Sequence, residues 1–149
     1  KFIELAGEIN TFMPTYVVEK ISVALNNTAG KAISASKILL LGLSYKKDID
    51  DTRETPTLVI MKQLIKLGAE VDFHDPFVAK IGAMRDHPEL QGKSGVALDA
   101  GSLKNYDAVV VCTDHSTVDY GLIGDHAKLV IDTRNAMTGL AMSGHLVKA

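Results

Sequence analysis

The stretch Lys37-Ile-Leu-Leu-Leu-Gly42, followed by a polar run from Ser44 to Thr55 and then by Pro56-Thr-Leu-Val-Ile-Met-Lys-Gln-Leu-Ile-Lys-Leu-Gly68, decides the fold. Its first part is apolar without alternation, which is the pattern of a strand covered on both faces, as in a parallel sheet. In its last part Thr55 can cap a helix, Pro56 can open it and Gly68 can end it. Between them Leu58, Val59, Met61, Leu64, Ile65 and Leu67 recur at helical spacing. Ala69-Glu-Val-Asp-Phe73 then reads as a second strand, so the chain declares a strand–helix–strand unit.

Upstream, Phe2, Ile3, Leu5, Ile9, Phe12, Met13, Val17, Ile21, Ala24 and Leu25 return every three or four residues. This predicts one helical segment over 1–27, kinked at Pro14. Downstream, the pattern predicts a short helix over Val78 to Met84, a loop through His87-Pro88 and Gly92 to Gly95, and a brief strand over Val96 to Leu98. A helical turn before Asn105, a buried strand Asp107 to Cys112, a helix Val118 to Asp125 and a buried strand Lys128 to Ile131 follow. Residues 136–149 read as a loop with a weak strand at the end. Strands alternating with helices predict an open α/β fold of three layers around a parallel sheet, preceded by a long N-terminal helix.

With 149 residues, 46% of them hydrophobic, and a formal net charge of −2, the chain has the composition of one folded domain, not of a disordered tail. A near-zero balance of 16 basic against 18 acidic residues gives no general field for nucleic acid, so an anion site has to be local. The longest apolar runs, Ile38 to Leu41 and Ala108 to Cys112, are far shorter than the roughly 20 residues of a membrane-spanning helix, and no membrane partner is expected. A single cysteine, Cys112, excludes an intramolecular disulfide and suits a cytoplasmic location. The first residue, Lys1, enters an amphipathic pattern at once, and the expectation is a piece of a longer chain.

In an open α/β sheet ligands sit beyond the carboxyl ends of the strands. The segments there are all polar: Ser44 to Glu54, His74-Asp-Pro76, Thr113-Asp-His-Ser116 and Asp132-Thr-Arg-Asn135. Lys46, Lys47, Arg53 and Arg134 supply cations to that rim, and the helix opening at Pro56 turns its unpaired N–H groups toward it, so a phosphate-bearing ligand suits the arrangement. The first turn, Gly42-Leu-Ser-Tyr-Lys-Lys47, lacks the second and third glycines of a dinucleotide fingerprint, and Tyr45 blocks close backbone approach; a nucleotide held by side chains fits better than NAD bound by this turn. Lys46 and Lys47 also flank Asp48, Asp50 and Asp51, and a solvated mixed-charge loop explains them equally well. Arg134 either pairs with Asp132 or Asp75 or reads a ligand.

No metal site is expected. Arg53 and Val59 stand where a calcium loop begun at Asp48 needs glycine and glutamate, and the five histidines never pair at ligand spacing. His74 and His115 are expected to be loop hydrogen-bonders, with Asp114-His-Ser116 a helix cap in preference to a catalytic relay. Cys112, at the end of an apolar strand, is expected to be a buried, inert thiol.

The segments Gly42 to Pro56, Gly68-Ala-Glu-Val-Asp-Phe-His-Asp-Pro76, Asp107-Ala-Val-Val-Val-Cys-Thr-Asp-His115 and Asp132-Thr-Arg-Asn135, in that order, resemble the C-terminal domain of the UDP-glucose/GDP-mannose dehydrogenase family. Glu8-Ile-Asn10, Met13-Pro14 and Tyr16-Val-Val18 resemble the end of that family's central helical region, which forms much of its dimer contact. Met84-Arg-Asp-His-Pro88, Thr113-Asp-His115 and Asp119-Tyr120 are most similar to bacterial UDP-N-acetylglucosamine 6-dehydrogenases. The resemblance implies a Rossmann-like fold, with residues 1–30 ending a linker and dimerisation helix and 31–149 forming a nucleotide-sugar (UDP)-binding domain. It further implies a bacterial cytoplasmic enzyme, a homodimer or higher homo-oligomer, that oxidises a sugar C6 alcohol to a carboxylate with two NAD+ through a cysteine thiohemiacetal. The family's GGxCxP motif and its N-terminal NAD domain are absent from this sequence, so no catalytic residue is expected here and the fragment is expected to be silent by itself. Residue by residue, Tyr45 and Lys46 match an aromatic–Lys pair that contacts the UDP-sugar, Arg134 matches the arginine of an Asp-x-Arg motif reaching the same ligand, and Arg53 matches an arginine that approaches NAD. UDP-glucose and GDP-mannose are the alternative substrates, and an assembly module built on the first helix, without ligand binding of its own, is the alternative role.

Overall fold

A computed structural model describes residues 2–52, 55–84 and 86–149 of the chain, and their side chains from Met13 onward. The elements run α1 (Phe2–Ala29), β1 (Lys37–Leu41), α2 (Pro56–Lys66), β2 (Glu70–His74), α3 (Ala100–Leu103), β3 (Ala108–Val111), α4 (Tyr120–His126), β4 (Leu129–Asp132) and β5 (His145–Lys148), with 3-10 turns at Ile33–Ala35 and Pro88–Leu90. The five strands form one sheet in the order β2-β1-β3-β4-β5, parallel throughout. The chain leaves β1 for β2 on one side and then crosses back to β3 on the other, so the connections reverse direction between β1 and β3. That reversal opens a crevice at the carboxyl ends of these two strands.

The unbroken apolar runs are explained by the layers. In β1, Ile38 and Leu40 face the helix pair α1 and α2, together with Phe73, Val110 and Ile131. Leu39 and Leu41 face the opposite side with Val109, Val111, Leu103 and Ile123. Successive strand side chains point to opposite faces, so a strand wedged between two helical layers must be apolar at every position. Edge strand β2 alternates instead, burying Val71 and Phe73 while Asp72 takes a hydrogen bond from the Tyr106 hydroxyl at 2.8 Å. Truncating fully buried Leu40 to alanine is expected to cost about 2–5 kcal/mol, the range for large-to-small core changes. Helix α1 packs on α2 and β4 through Val17, Val18, Ile21, Ala24 and Leu25 and runs unbroken through Pro14.

Two expectations fail between β2 and α3. Residues 78–84 form no helix and 96–98 form no strand. Instead the segment folds back on itself: Ile81 donates its N–H to Lys93 O at 2.9 Å, Gly92 to Ile81 O at 2.8 Å and Gly95 to Ala79 O at 2.8 Å, around a bridge between Lys80 and Ser94. Val78, Ile81 and Leu90 are buried in the layer of Phe73. The helical spacing of Val78 and Ile81 comes from a loop that turns both inward beside Leu90, and cross-loop bonds of Ile81 take the place of helical ones. The expected weak terminal strand forms as β5.

Candidate functional site at the strand ends

The site begins at Gly42, whose φ of +89° lies in the left-handed region and whose Cβ, if present, would sit 2.4 Å from Thr113 Cβ. Only glycine lets the turn after β1 press against the end of β3. Thr113 Oγ1 donates to Ser44 O at 2.8 Å and Thr57 Oγ1 to Gly42 O at 3.1 Å, tying the turn to β3 and to the start of α2. Thr55 caps α2 by accepting the N–H of Thr57, with Pro56 in the first turn, as its sequence predicts. Tyr45 N–H closes the loop onto Asp51 O at 2.7 Å and leaves the phenol ring exposed.

A buried polar centre lies beneath this loop. The Asp75 carboxylate accepts the N–H groups of Leu43 at 2.7 Å, Ser44 at 3.1 Å and Phe77 at 2.8 Å, together with Nε2 of His115 at 2.8 Å. In a dinucleotide-binding turn, backbone N–H groups and the helix end receive the pyrophosphate. Here those of Leu43 and Ser44 are taken by the protein's own carboxylate, so the first turn does not fit a dinucleotide. His115 is fully buried, packs on the Phe77 ring at 5.0 Å, approaches Ser44 Oγ at 3.1 Å and accepts the Asp48 N–H on Nδ1 at 2.7 Å.

Several sequence expectations are corrected or filled in here. The 114–116 segment is not a helix cap: Asp119 caps α4, accepting the Leu122 N–H at 3.0 Å, while His115 turns inward. His115 is the expected loop hydrogen-bonder, whereas His74 is the last residue of β2 and bonds Val96 O through Nδ1 at 2.7 Å. Nothing in the local sequence assigns Asp75 and Asp48 to this centre, although an Asp-Pro pair directly after a strand is a signal for the former.

After β4 a second turn carries Arg134. Buried Asp132 accepts the N–H groups of Arg134 at 3.0 Å, Ala136 at 3.2 Å and Met137 at 2.9 Å, around Asn135 at a φ of +60°. The Arg134 side chain pairs with neither Asp132 nor Asp75. Its Nε donates to Cys112 O at 3.0 Å and its Nη1 lies 3.9 Å from Asp114 Oδ1. Cys112 is buried, and burial pushes its thiol up to about 12, a hydrogen bond to Thr57 and the charge of Arg134 countering only part of that.

Tyr45, Lys46 and Arg134 line one cleft of about 890 Å³, walled by Met13, Pro14 and Val17 of α1, Thr57, Val59 and Ile60 of α2, and by His87. Lys47 lies outside this lining. Arg53 lies outside the described residues. The cleft sets a ring and two cations against an apolar wall beside the opening of α2, which is the chemistry of a site for a flat base carrying phosphate. Among the described residues no group of three His, Cys, Asp or Glu side chains is placed to hold a metal ion, and no helix is long and apolar enough to cross a membrane.

Known proteins resemble the chain in sequence and fold. Across 92% of its length it is 31% identical to a UDP-N-acetyl-D-mannosamine dehydrogenase of Methanococcus maripaludis (strain C7 / ATCC BAA-1331), of which it covers 31%. Across 87% it is 30% identical to UDP-glucose 6-dehydrogenase 4 of Arabidopsis thaliana, again covering 31%. The chain thus spans about a third of the length of these relatives, which are archaeal and plant proteins and do not single out a bacterial source. A solved structure of the UDP-D-ManNAc dehydrogenase from Pyrococcus horikoshii superposes with a TM-score of 0.77 at 27% identity, covering 98% of this chain and 32% of that one. Residues 39–139, from β1 through the Arg134 turn, match the model of the UDP-glucose/GDP-mannose dehydrogenase family, UDP binding domain, and the chain belongs to that family.

Proposed function

We propose that the strand-end cleft binds the nucleotide diphosphate of a UDP-sugar, as the substrate-holding part of an NAD-dependent dehydrogenase that oxidises the sugar C6 alcohol to a carboxylate. The observation that carries the reading is the convergence of Tyr45, Lys46 and Arg134 on one cleft of about 890 Å³ that two of the sheet's polar turns border. Tyr45 offers a ring face for the base, Lys46 a mobile point charge for phosphate, and Arg134 a planar guanidinium already oriented by the Cys112 carbonyl. The apolar wall from α1 and α2 excludes water and strengthens those charged contacts.

Oxidation of an alcohol to a carboxylate passes two hydrides to NAD+ and takes up one water. NAD itself supplies the hydride acceptor. Because Asp75 fills the first turn, we assign no nicotinamide chemistry to that turn, and Arg53 is the one residue of this chain proposed to approach NAD. No catalytic residue is proposed in this sequence: Cys112 is buried, and its raised thiol does not suit a nucleophile. Oxidation, on this reading, needs further residues outside the chain. The proposed substrate is an N-acetylated UDP-hexosamine. Motif similarity favours UDP-N-acetylglucosamine, while the matched relatives carry the names of UDP-N-acetyl-D-mannosamine and UDP-glucose dehydrogenases. We further propose that residues 1–30 belong to a longer helical linker that takes part in homo-oligomer contact, and that 31–149 form the UDP-binding unit.

Calorimetric titration of the chain with UDP and with GDP tests the binding. UDP is expected to bind in preference to GDP, with affinity lost about tenfold or more in Arg134→Ala and less in Lys46→Ala, since the arginine is held in place by Cys112 O and loses a fixed contact while the lysine loses a screened one. No UDP binding, or the same affinity in both variants, contradicts the reading.

A further inference from the structure

The arm Tyr45-Lys46-Lys47 projects from the rim, and both of its ends return to one buried ring. At the near end Ser44 Oγ donates to Lys46 O at 2.7 Å and lies 3.1 Å from His115 Nε2. At the far end the Asp48 N–H reaches His115 Nδ1 at 2.7 Å. A backbone N–H only donates, so Nδ1 must present its lone pair. The proton of the neutral ring is therefore on Nε2, where the Asp75 carboxylate at 2.8 Å and the Ser44 hydroxyl receive it. Asp48 takes a φ of +62°, unusual for a residue with a side chain. Its carboxylate is held by the Ser116 N–H at 2.7 Å and hydroxyl at 2.6 Å, beside His115 in the same loop. A backbone held in a sparsely populated region by bonds from a neighbouring loop marks a conformation selected for something beyond the turn itself.

We infer that His115, neutral and protonated on Nε2, is a positioning residue that brackets the Tyr45–Lys46 arm and sets it against the nucleotide; this rests on the proposal that the arm contacts a UDP-sugar. The ring touches no ligand in this account. It acts through two loop ends, and its two nitrogens do separable work. Nε2 joins the turn after β1 to the one after β2, and Nδ1 fixes where the arm re-enters the protein.

Two conservative substitutions divide these roles. His115→Asn keeps an acceptor near the Nδ1 position and gives up the donor to Asp75. His115→Gln keeps a donor toward Asp75 and leaves the Asp48 N–H without its acceptor. The expected orders cross: His115→Asn is the less stable in thermal unfolding yet keeps UDP affinity within about threefold, while His115→Gln is the more stable yet loses about tenfold. A merely structural histidine would make affinity follow stability, and that result, or unchanged affinity in both variants, overturns the inference. Nitrogen NMR of the unsubstituted chain provides a readout that needs no ligand. It should show Nε2 protonated, Nδ1 bare and a coupling across the hydrogen bond to the Asp48 amide; a protonated Nδ1 overturns the inference. If the unsubstituted chain fails to bind UDP, the functional reading fails, while the NMR result still decides the tautomer and the bracket.

Discussion

The two turns that carry the cleft's cations are built on opposite plans. The turn after β4 closes on its own carboxylate: Asp132, at the end of its own strand, gathers the N–H groups of Arg134, Ala136 and Met137, while Thr133 Oγ1 and Arg134 Nε reach across to Val111 O and Cys112 O. The turn after β1 borrows its support, taking Asp75 from the turn after β2, His115 from the turn after β3 and Thr57 from α2. A short turn of a few residues closes on one carboxylate. A long arm with its functional groups in the middle has too many loose dihedrals for local bonds to fix, and neighbouring loops must hold it. The Arg134 backbone is thus set by sequence-local chemistry and its guanidinium by Cys112 O at the end of β3, whereas even the backbone of the Lys46 arm is held by the tertiary fold.

Gly42→Ala is expected to disturb this arrangement most. The added methyl at a φ of +89° would strike Thr113, so the borrowed turn and the end of β3 have to part, costing about 3 kcal/mol or more in denaturant unfolding. Stability within about 0.5 kcal/mol of the unsubstituted chain would mean the two segments are not pressed together as described. Asp132→Ala comes next. It leaves three backbone N–H groups without their acceptor, an expected loss of about 2 kcal/mol by the same measurement. The chemical-shift changes should stay within the 132–137 turn and the Arg134 contact at Cys112, leaving the His115 ring resonances in place. Shifts spreading to Ser44 or Asp48 would show that the turn after β4 is not independent of the turn after β1.

Cys112 sits between the two plans, with its carbonyl on Arg134 and its thiol buried. A thiol pushed up to about 12 holds its proton well above neutrality. At about pH 8 the native chain should therefore resist alkylation and react only once unfolded. Fast labelling of the native chain would place this thiol at an open surface and remove the argument that it is inert. This is the smallest effect, since the expected outcome is no change until the fold is lost.

The same contrast governs what the sequence made legible. Strands β1, β3 and β4 stand out because double burial leaves no room for polar residues, and α2 because Thr55, Pro56 and Gly68 punctuate it. Arg134 could be singled out because an arginine directly after a buried strand has few places to go. The 78–98 segment misleads because Val78 and Ile81 recur at helical spacing while Ile81 bonds across a loop to Lys93 and Gly92. The support of Lys46 was illegible for a related reason. His115 is 67 residues from Asp48 and 40 from Asp75, and no local pattern announces that three loops meet on one ring. Spacing reports faces of helices and strands, whereas a polar centre assembled from strand ends is visible only once the strand order is known.

Whether the nucleotide sits in the strand-end cleft, as proposed, is read from the amide NMR spectrum of the chain during titration with UDP. Saturable shifts are expected at Tyr45, Lys46, the start of α2 and Arg134, with the 100–106 region at the opposite end of the sheet unmoved. Shifts absent from the cleft, or gathered instead along the second hollow between α2 and Leu90, would contradict the proposal.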